Sequence, residues 1–364
     1  MLDEVSRLTA DLVAIDSVNP SLVPGGAGES EIAAFVAGWA RDAGLQADVL
    51  EETPGRPSVV VRAPGGGGGR TLLLCGHIDT VTVEGMTHPP FEARVEGDRL
   101  YGRGAYDMKA GVAAALVACR HAAGLGLAGD VVVAAVADEE HASLGVQEVL
   151  RSVRADAAIV TEPTELEVAV AHKGFVWIEI EVTGRAAHGS RPHLGEDAIV
   201  KAGPILTAVG ELDARLGEHE HPLLGRGSVH ASLIAGGEEL SSYPARCTIG
   251  LERRTLPGET GAGAEAEIAA LLGDATQRTL LVREPFEIAP DAEIVTLLRE
   301  AAPASPIGGA SYWADAAFIA AAGIPTVLFG PGGEGAHAAQ EWVSLANTAA
   351  VAETLTAVAS RFCA

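Results

Sequence analysis

Lysine is almost absent from this chain. Of 25 basic residues only Lys109, Lys173 and Lys201 are lysines, against 49 acidic ones, and the formal charge is −24. Nucleic-acid backbones are bound by clustered cations, so a nucleic-acid partner is excluded. Aromatic residues are scarce at 4%, yet 48% of the chain is hydrophobic and only 20% charged. The core must therefore be aliphatic and rich in Ala and Gly, and it is large enough to rule out disorder. The four cysteines, Cys75, Cys119, Cys247 and Cys363, lie far apart with no CxxC spacing. That excludes a disulfide framework or a zinc ribbon and points to a reducing, cytoplasmic setting. No apolar run reaches the roughly 18 to 20 residues of a membrane span. The longest, 316–328, is broken by Gly323 and Pro325. The first sixteen residues, MLDEVSRLTADLVAID, lack the basic and apolar regions of a leader, and are expected to be the first helix of a soluble fold without a membrane partner. Neither GxxxxGK[ST] nor GxSxG occurs, so P-loop and α/β-hydrolase chemistry have no support.

What the chain does have is alternation. Short apolar runs at 58–62, 71–75, 131–136, 157–160 and 326–329 read as buried strands, and 108–122 and 141–154 read as helices. This predicts an α/β fold, a mostly parallel sheet with helices on both faces. The stretch from Phe175 to Phe286 differs, with alternating strands framing helical segments near 198–216 and 261–273. Its β-α-β-β-α-β order predicts an inserted α+β domain at 175–286, with 1–174 and 287–364 forming the catalytic domain. Two glycine-rich segments are decoys. GLGLAG (124–129) matches a dinucleotide fingerprint but follows a helix and precedes a strand, the reverse of the turn that cradles a pyrophosphate. The run Gly65–Gly69 is expected to be a flexible hairpin loop.

Chemistry-bearing residues gather at strand ends. His77 and Asp79 follow TLLLCG, two apart, where a carboxylate can fix the tautomer of a ligating histidine. Asp107 stands just before a helix, Asp138, Glu139 and Glu140 end VVVAAVADEE, Glu162 follows AAIVT, and His337 follows TVLFGPGGEGA. Ligands of open α/β sheets collect outside the carboxyl ends of strands, so these places can converge. Two histidines and three carboxylates form a donor set suited to paired divalent cations about 3.5 to 4 Å apart. His121, His219, His221 and His230 are read as surface or packing residues.

The blocks GHIDTV, LYGRGAYDMKAG, ADEE, TEPT, GRAAHGSRPHLGEDAI, ERRTLPGE and AGIPTVLFGPGGEGAHAAQE follow one another from about residue 71 to 341. In these the chain resembles the M20 metallopeptidases and amidohydrolases. The resemblance implies a zinc-exopeptidase-like catalytic domain holding two divalent ions, Zn²⁺ first, with Co²⁺ or Mn²⁺ as substitutes. It implies that Asp107 bridges them, that Glu140 and His337 complete one ion's shell and His77 and Glu162 the other's, that Asp79 orients His77, and that Glu139 is the general base. His188 matches the position that stabilises the oxyanion in this family, often from the partner subunit of a dimer formed by the inserted domain. Arg254 matches an arginine gripping the substrate carboxylate, with Arg253 turned to the other face. Glu252 stands where Asp is usual and Ser241 where Asn is common, so recognition of the acyl group is expected to differ; Trp313 and Asp315 in SYWADAAF are expected nearby. ERRTLPGE and the length lean toward the deacetylase and desuccinylase branch. The expected activity is hydrolysis of an N-acyl amino acid, with an exopeptidase acting on short peptides as the alternative. A catalytically silent metal binder would be expected to lack the base or a ligand, and all six positions are filled.

Overall fold

The computed structural model describes every residue from Met1 to Ala364. The first stretch contains α1 (Leu2–Val13), α2 (Ser30–Asp42), β1 (Gln46–Leu50), β2 (Ser58–Ala63), β3 (Leu72–His77), α3 (Ala110–Ala123), β4 (Val131–Val136), α4 (Leu144–Ser152), β5 (Ala157–Val160) and β6 (Val168–His172). Then come β7 (Gly174–Thr183), α5 (Ala198–Leu216), β8 (Ser228–Gly236), β9 (Arg246–Thr255), α6 (Gly261–Ala269) and β10 (Thr276–Arg283). The last stretch adds α7 (Glu293–Ala301), α8 (Ala316–Ala321), β11 (Thr326–Leu328) and α9 (Leu345–Phe362). The chain forms two compact units.

The larger unit comprises Met1–Val170, Ile288–Gly308 and Ala314–Ala364. Its strands run in the order β1-β2-β4-β3-β5-β11-β6. The sheet is parallel through its centre, β4-β3-β5-β11, and antiparallel at its edges, where β1 meets β2, β2 meets β4 and β11 meets β6. The link 51–57 between β1 and β2 explains one edge, because a parallel crossover needs about a dozen residues or more. Every residue of β3 and β4 is buried, hence their unbroken apolar sequences. The small side chains of α3 are almost all buried, and the helix packs against α1 and α9. α4 packs against α8. Strand order reverses at β3: the chain passes from β3 to β4 on one side and then to β5 on the other. Such a switch point opens a crevice at the carboxyl ends of the strands.

Three local expectations need correction. Gly65–Gly69 is not a hairpin loop, because β4 lies between β2 and β3. Gly66 and Gly67 donate to the carbonyls of Leu127 and Ala128, both at 2.8 Å, and a Cβ on Gly65 or Gly69 would collide with the backbone at Gly129. The run is a tight seam between two backbones. The helix read over 108–122 begins only at Ala110, since Asp107 (φ −116°, ψ 93°) and Met108 leave helical geometry. The helix read over 141–154 is Leu144–Ser152.

The smaller unit comprises Ala171–Glu287 and Gly309–Trp313. Its antiparallel sheet has the order β8-β9-β7-β10. Alternate residues of β7 (Val176, Ile178, Ile180, Val182) are buried with Ile249 and Leu251 of β9 and with apolar residues of α5 and α6. This is the period-2 pattern of a sheet covered on one face. No helix of the structure is long and apolar enough to cross a membrane.

Candidate metal centre

His77 ends β3 and is buried. Its Nδ1–H donates to the backbone carbonyl of Asp79 at 3.0 Å. Its Nε2 faces carboxylates: Asp107 Oδ1 at 3.1 Å, Glu162 Oε1 at 3.9 Å and Glu139 Oε2 at 4.0 Å. His337 Nε2 lies 3.2 Å from both Asp107 Oδ2 and Glu140 Oε1. The two oxygens of Asp107 thus face two different histidines. Glu139 and Glu140 come from the loop after β4, Glu162 from the end of β5 and His337 from the loop after β11. Two groups of donors lie within 4.8 Å of one another: His77, Glu139 and Glu162, and His77, Asp107 and Glu140.

Burial decides the electrostatics. It pushes Glu139 and Glu162 well above the usual carboxylate range, and neighbouring carboxylates, Asp315 among them, push further. Glu140 is raised by burial and by Asp107. Burial also acts upward on Asp107, but hydrogen bonds with His337 and His77 outweigh it and hold that carboxyl below its ordinary value. His77 is raised well above its ordinary value, the Asp107 hydrogen bond and the Glu162 charge overcoming its burial. His337 is raised to about 10 by hydrogen bonds with Asp107 and Glu140. Four buried or half-buried carboxylates, Asp107, Glu139, Glu140 and Glu162, therefore face two imidazoles, an anionic surplus that divalent cations relieve. The donor set fits such ions by charge and by ligand type.

The sequence model of Peptidase family M20/M25/M40 matches residues 73–361. The chain belongs to this family. An acetylornithine deacetylase of Klebsiella pneumoniae (strain 342) is 29% identical over 378 residues, covering 98% of this chain and 94% of the relative. Among solved structures, aminopeptidase PepT from Bacillus cereus ATCC 10987 matches with a TM-score of 0.83 at 21% identity, over 100% of this chain and 99% of that one. The Bacillus subtilis YXEP protein, described as a dinuclear metal binding peptidase from the M20 family, has a TM-score of 0.72 at 15% identity, over 100% and 98%. These structures share the fold. As an M20 member the chain is a metal-dependent hydrolase of amide bonds.

Within this M20 site Asp79 is placed differently from expectation, and three further supports, Asn19, Arg56 with Glu29, and Arg103 with Glu341, carry no local sign in the sequence. Asp79 touches the His77 ring through its carbonyl, its carboxylate Oδ1 being 3.6 Å from Nδ1. That carboxylate instead accepts from the backbone N–H groups of Glu139 (3.1 Å) and Glu140 (3.3 Å) and from Asn19 Nδ2 (2.7 Å). Asn19 also donates to Asp138 Oδ1 at 3.0 Å, and Arg56 joins Asp138 (2.7 Å) to Glu29 (2.6 Å). Lastly, the buried pair Arg103–Glu341 lies under Asp107. Of six non-glycine residues with positive φ, Asp138, Ser143, Glu165, Leu166 and His337 sit on the loops that carry or follow the candidate ligands. Such conformations gather where surroundings impose them, functional sites above all.

The other residues singled out lie in the smaller unit, except His121 and Asp315, which lie in the larger one. His188, exposed, sits opposite Ser242 in a two-residue bridge, and its Nδ1 is 2.8 Å from Ser190 Oγ. Ser241 is exposed, its carbonyl accepting from Gly189 N at 2.6 Å. Arg254 on β9 donates through Nε to Glu252 Oε1 at 2.7 Å, while Trp177 Nε1 donates to Glu252 Oε2 at 2.8 Å. Arg253 points the other way and is buried between Glu259 and Glu267. Trp313 Nε1 donates to the Glu284 carbonyl at 3.1 Å. His121 pairs with Glu4 at 3.0 Å and His221 with Glu287 at 3.1 Å, outside the centre.

Proposed function

We propose that the chain is a two-metal amidohydrolase that removes the acyl group from an N-acyl amino acid, releasing a carboxylate and a free amine. The observation that carries this is Asp107, whose Oδ1 faces His77 while its Oδ2 faces His337. That arrangement suits a carboxylate shared by two ions, with Glu162 beside His77 and Glu140 beside His337. The deacetylase name of relatives spanning nearly the whole chain supports the N-acyl substrate class. Bound there, two divalent ions, Zn²⁺ first and Co²⁺ or Mn²⁺ as substitutes, would acidify water and polarise the scissile carbonyl. Glu139 is placed to take the proton of the attacking water and return it to the leaving amine, a role worth about 10² to 10⁴ in rate. Asp79 holds the backbone of both glutamates. His188 donates to the developing oxyanion, Arg254 grips the substrate carboxylate as a planar fork, and Ser241 contributes a hydroxyl at the acyl side.

The metal-loaded protein, assayed on N-acetyl, N-succinyl and N-formyl amino acids beside dipeptides, tests the reading. Cleavage of one N-acyl class well above any dipeptide is expected; the reverse order makes the chain an exopeptidase. Two copies pair through the smaller unit in this reading. Its edge strand β8 exposes Leu233 and Ile234, at 74% and 56%, and α5, which packs on β8, exposes Val200 at 70%. Light scattering is expected to give twice the chain mass, and Leu233→Asp to give a monomer. A wild-type monomer overturns the pairing.

A further inference from the structure

Asp107 and His337 project from backbone outside the regular helices and strands, Asp107 from a distorted π-helical turn, Ala105–Lys109, closed by Lys109 N–H on the Gly104 carbonyl at 2.8 Å. Asp107 precedes α3 outside helical geometry, and His337 stands in a loop at φ 60°. Both segments meet one buried ion pair. Arg103 is 2% exposed and Glu341 0%, and Arg103 Nη1 donates to Glu341 Oε2 at 2.7 Å. The remaining donors of the guanidinium reach backbone: Nε to the carbonyl of Thr82 at 3.0 Å, Nη2 to that of Ala338 at 3.0 Å. The carboxylate likewise accepts from backbone N–H groups, Oε2 from Gly104 at 3.1 Å and Oε1 from Tyr106 at 2.9 Å and Asp107 at 3.1 Å. One pair thus joins three segments: the one leaving His77 and Asp79, the one carrying Asp107, and the one carrying His337.

A buried ion pair is weak grounds for stability, because apolar residues of similar volume often serve as well. Its value here lies in direction. A guanidinium and a carboxylate fix several backbone groups at once in a planar geometry, which apolar packing does not. We infer that Arg103 and Glu341 are positioning residues for the metal centre, setting the backbone from which Asp107 and His337 aim at their shared position. This rests on the two-metal reading above. Partners standing behind metal ligands typically change metal affinity by about 10- to 100-fold when removed.

The test uses the full chain, stripped of metal and titrated with Co²⁺ or Zn²⁺ against a competing chelator, well below its melting temperature. The variants are Glu341→Gln, Arg103→Lys and the double variant Arg103→Met with Glu341→Leu. Each is expected to bind the ions about 10- to 100-fold more weakly than wild type, with altered Co²⁺ absorption. The double variant leaves no unpaired buried charge, so its metal-free melting temperature should fall less than that of Glu341→Gln, although the backbone groups the pair served lose their partners, while its metal affinity does not recover. It also carries the test alone if the single variants fail to fold. Affinities within threefold of wild type in a folded variant would overturn the inference and leave the two-metal reading intact. A wild-type chain that does not take up two ions overturns both.

Discussion

At the scale of single residues, adjacent Glu139 and Glu140 divide. Glu140 Oε1 meets His337, whereas Glu139 turns toward His77 and Glu162. If Glu139 moves the proton and Glu140 holds metal, Glu139→Gln should keep both ions and lose at least about 10² in kcat. Metal analysis beside steady-state kinetics checks this, and loss of metal in step with activity would exchange the two roles. Arg254 gives a different signature. Glu252 already occupies one side of its guanidinium, and the proposed grip on a substrate carboxylate would use the donors that remain. Arg254→Ala should raise KM far more than it lowers kcat, because such a grip acts in ground and transition states alike. Carboxylate-amidated substrates should lose little further; equal losses on both substrates would remove Arg254 from recognition. The candidate ligands were legible because His, Asp and Glu directly after apolar strands are conspicuous. Asn19, Arg103 and Glu341 were not, since each acts through partners far along the chain (Asn19 on Asp138, Arg103 on Glu341) and a polar loop residue carries no local sign of that contact.

At the scale of elements, the central strands were legible because burial on both faces leaves an unbroken apolar sequence. The antiparallel edges were not, because direction leaves no periodicity, and the Asp107 turn was hidden by the apolar run that continues into α3. The packing of α3 yields a further expectation. Gly111 lies against the carbonyl of Thr161, the residue before Glu162, so closely that a Cβ would collide with it. Alanine normally gains about 1 kcal/mol over glycine inside a helix. At Gly111 backbone overlap outweighs that gain, and Gly111→Ala should lower the urea midpoint. Gly38 in α2 has no atom within 4 Å of the same Cβ position, so Gly38→Ala should raise it. Denaturation curves of the two variants, followed by the same probe, separate them. A Gly111→Ala protein as stable as Gly38→Ala would show that α3 can shift without cost.

At the scale of the whole molecule, a chain of formal charge −24 concentrates part of its acidity in one buried place. Consider the metal-free protein. Glu139 and Glu162 are raised well above their ordinary value of 4.5, and His337 is raised from 6.5 to about 10, with His77 raised as well. From about pH 5 to 9 these four groups bind more protons in the folded metal-free protein than in the unfolded chain, and their contribution to stability falls as pH rises; Lys109, which burial lowers to about 7, has the opposite sign above that pH and offsets part of it. Asp107 has the opposite sign, but its titration lies below 3.8 and contributes a constant across this window. Metal has the reverse dependence, because ligands bind it deprotonated, so affinity grows with pH. The stabilisation by bound ions, RT ln(1 + [L]/Kd), grows with it. The difference in melting temperature between loaded and chelator-treated protein should accordingly widen from acidic to alkaline buffer. Scanning calorimetry of both forms, at fixed free metal and ionic strength, measures that difference. A gap that stays constant or narrows as pH rises would mean that neither the two histidines nor the buried glutamates hold the ions.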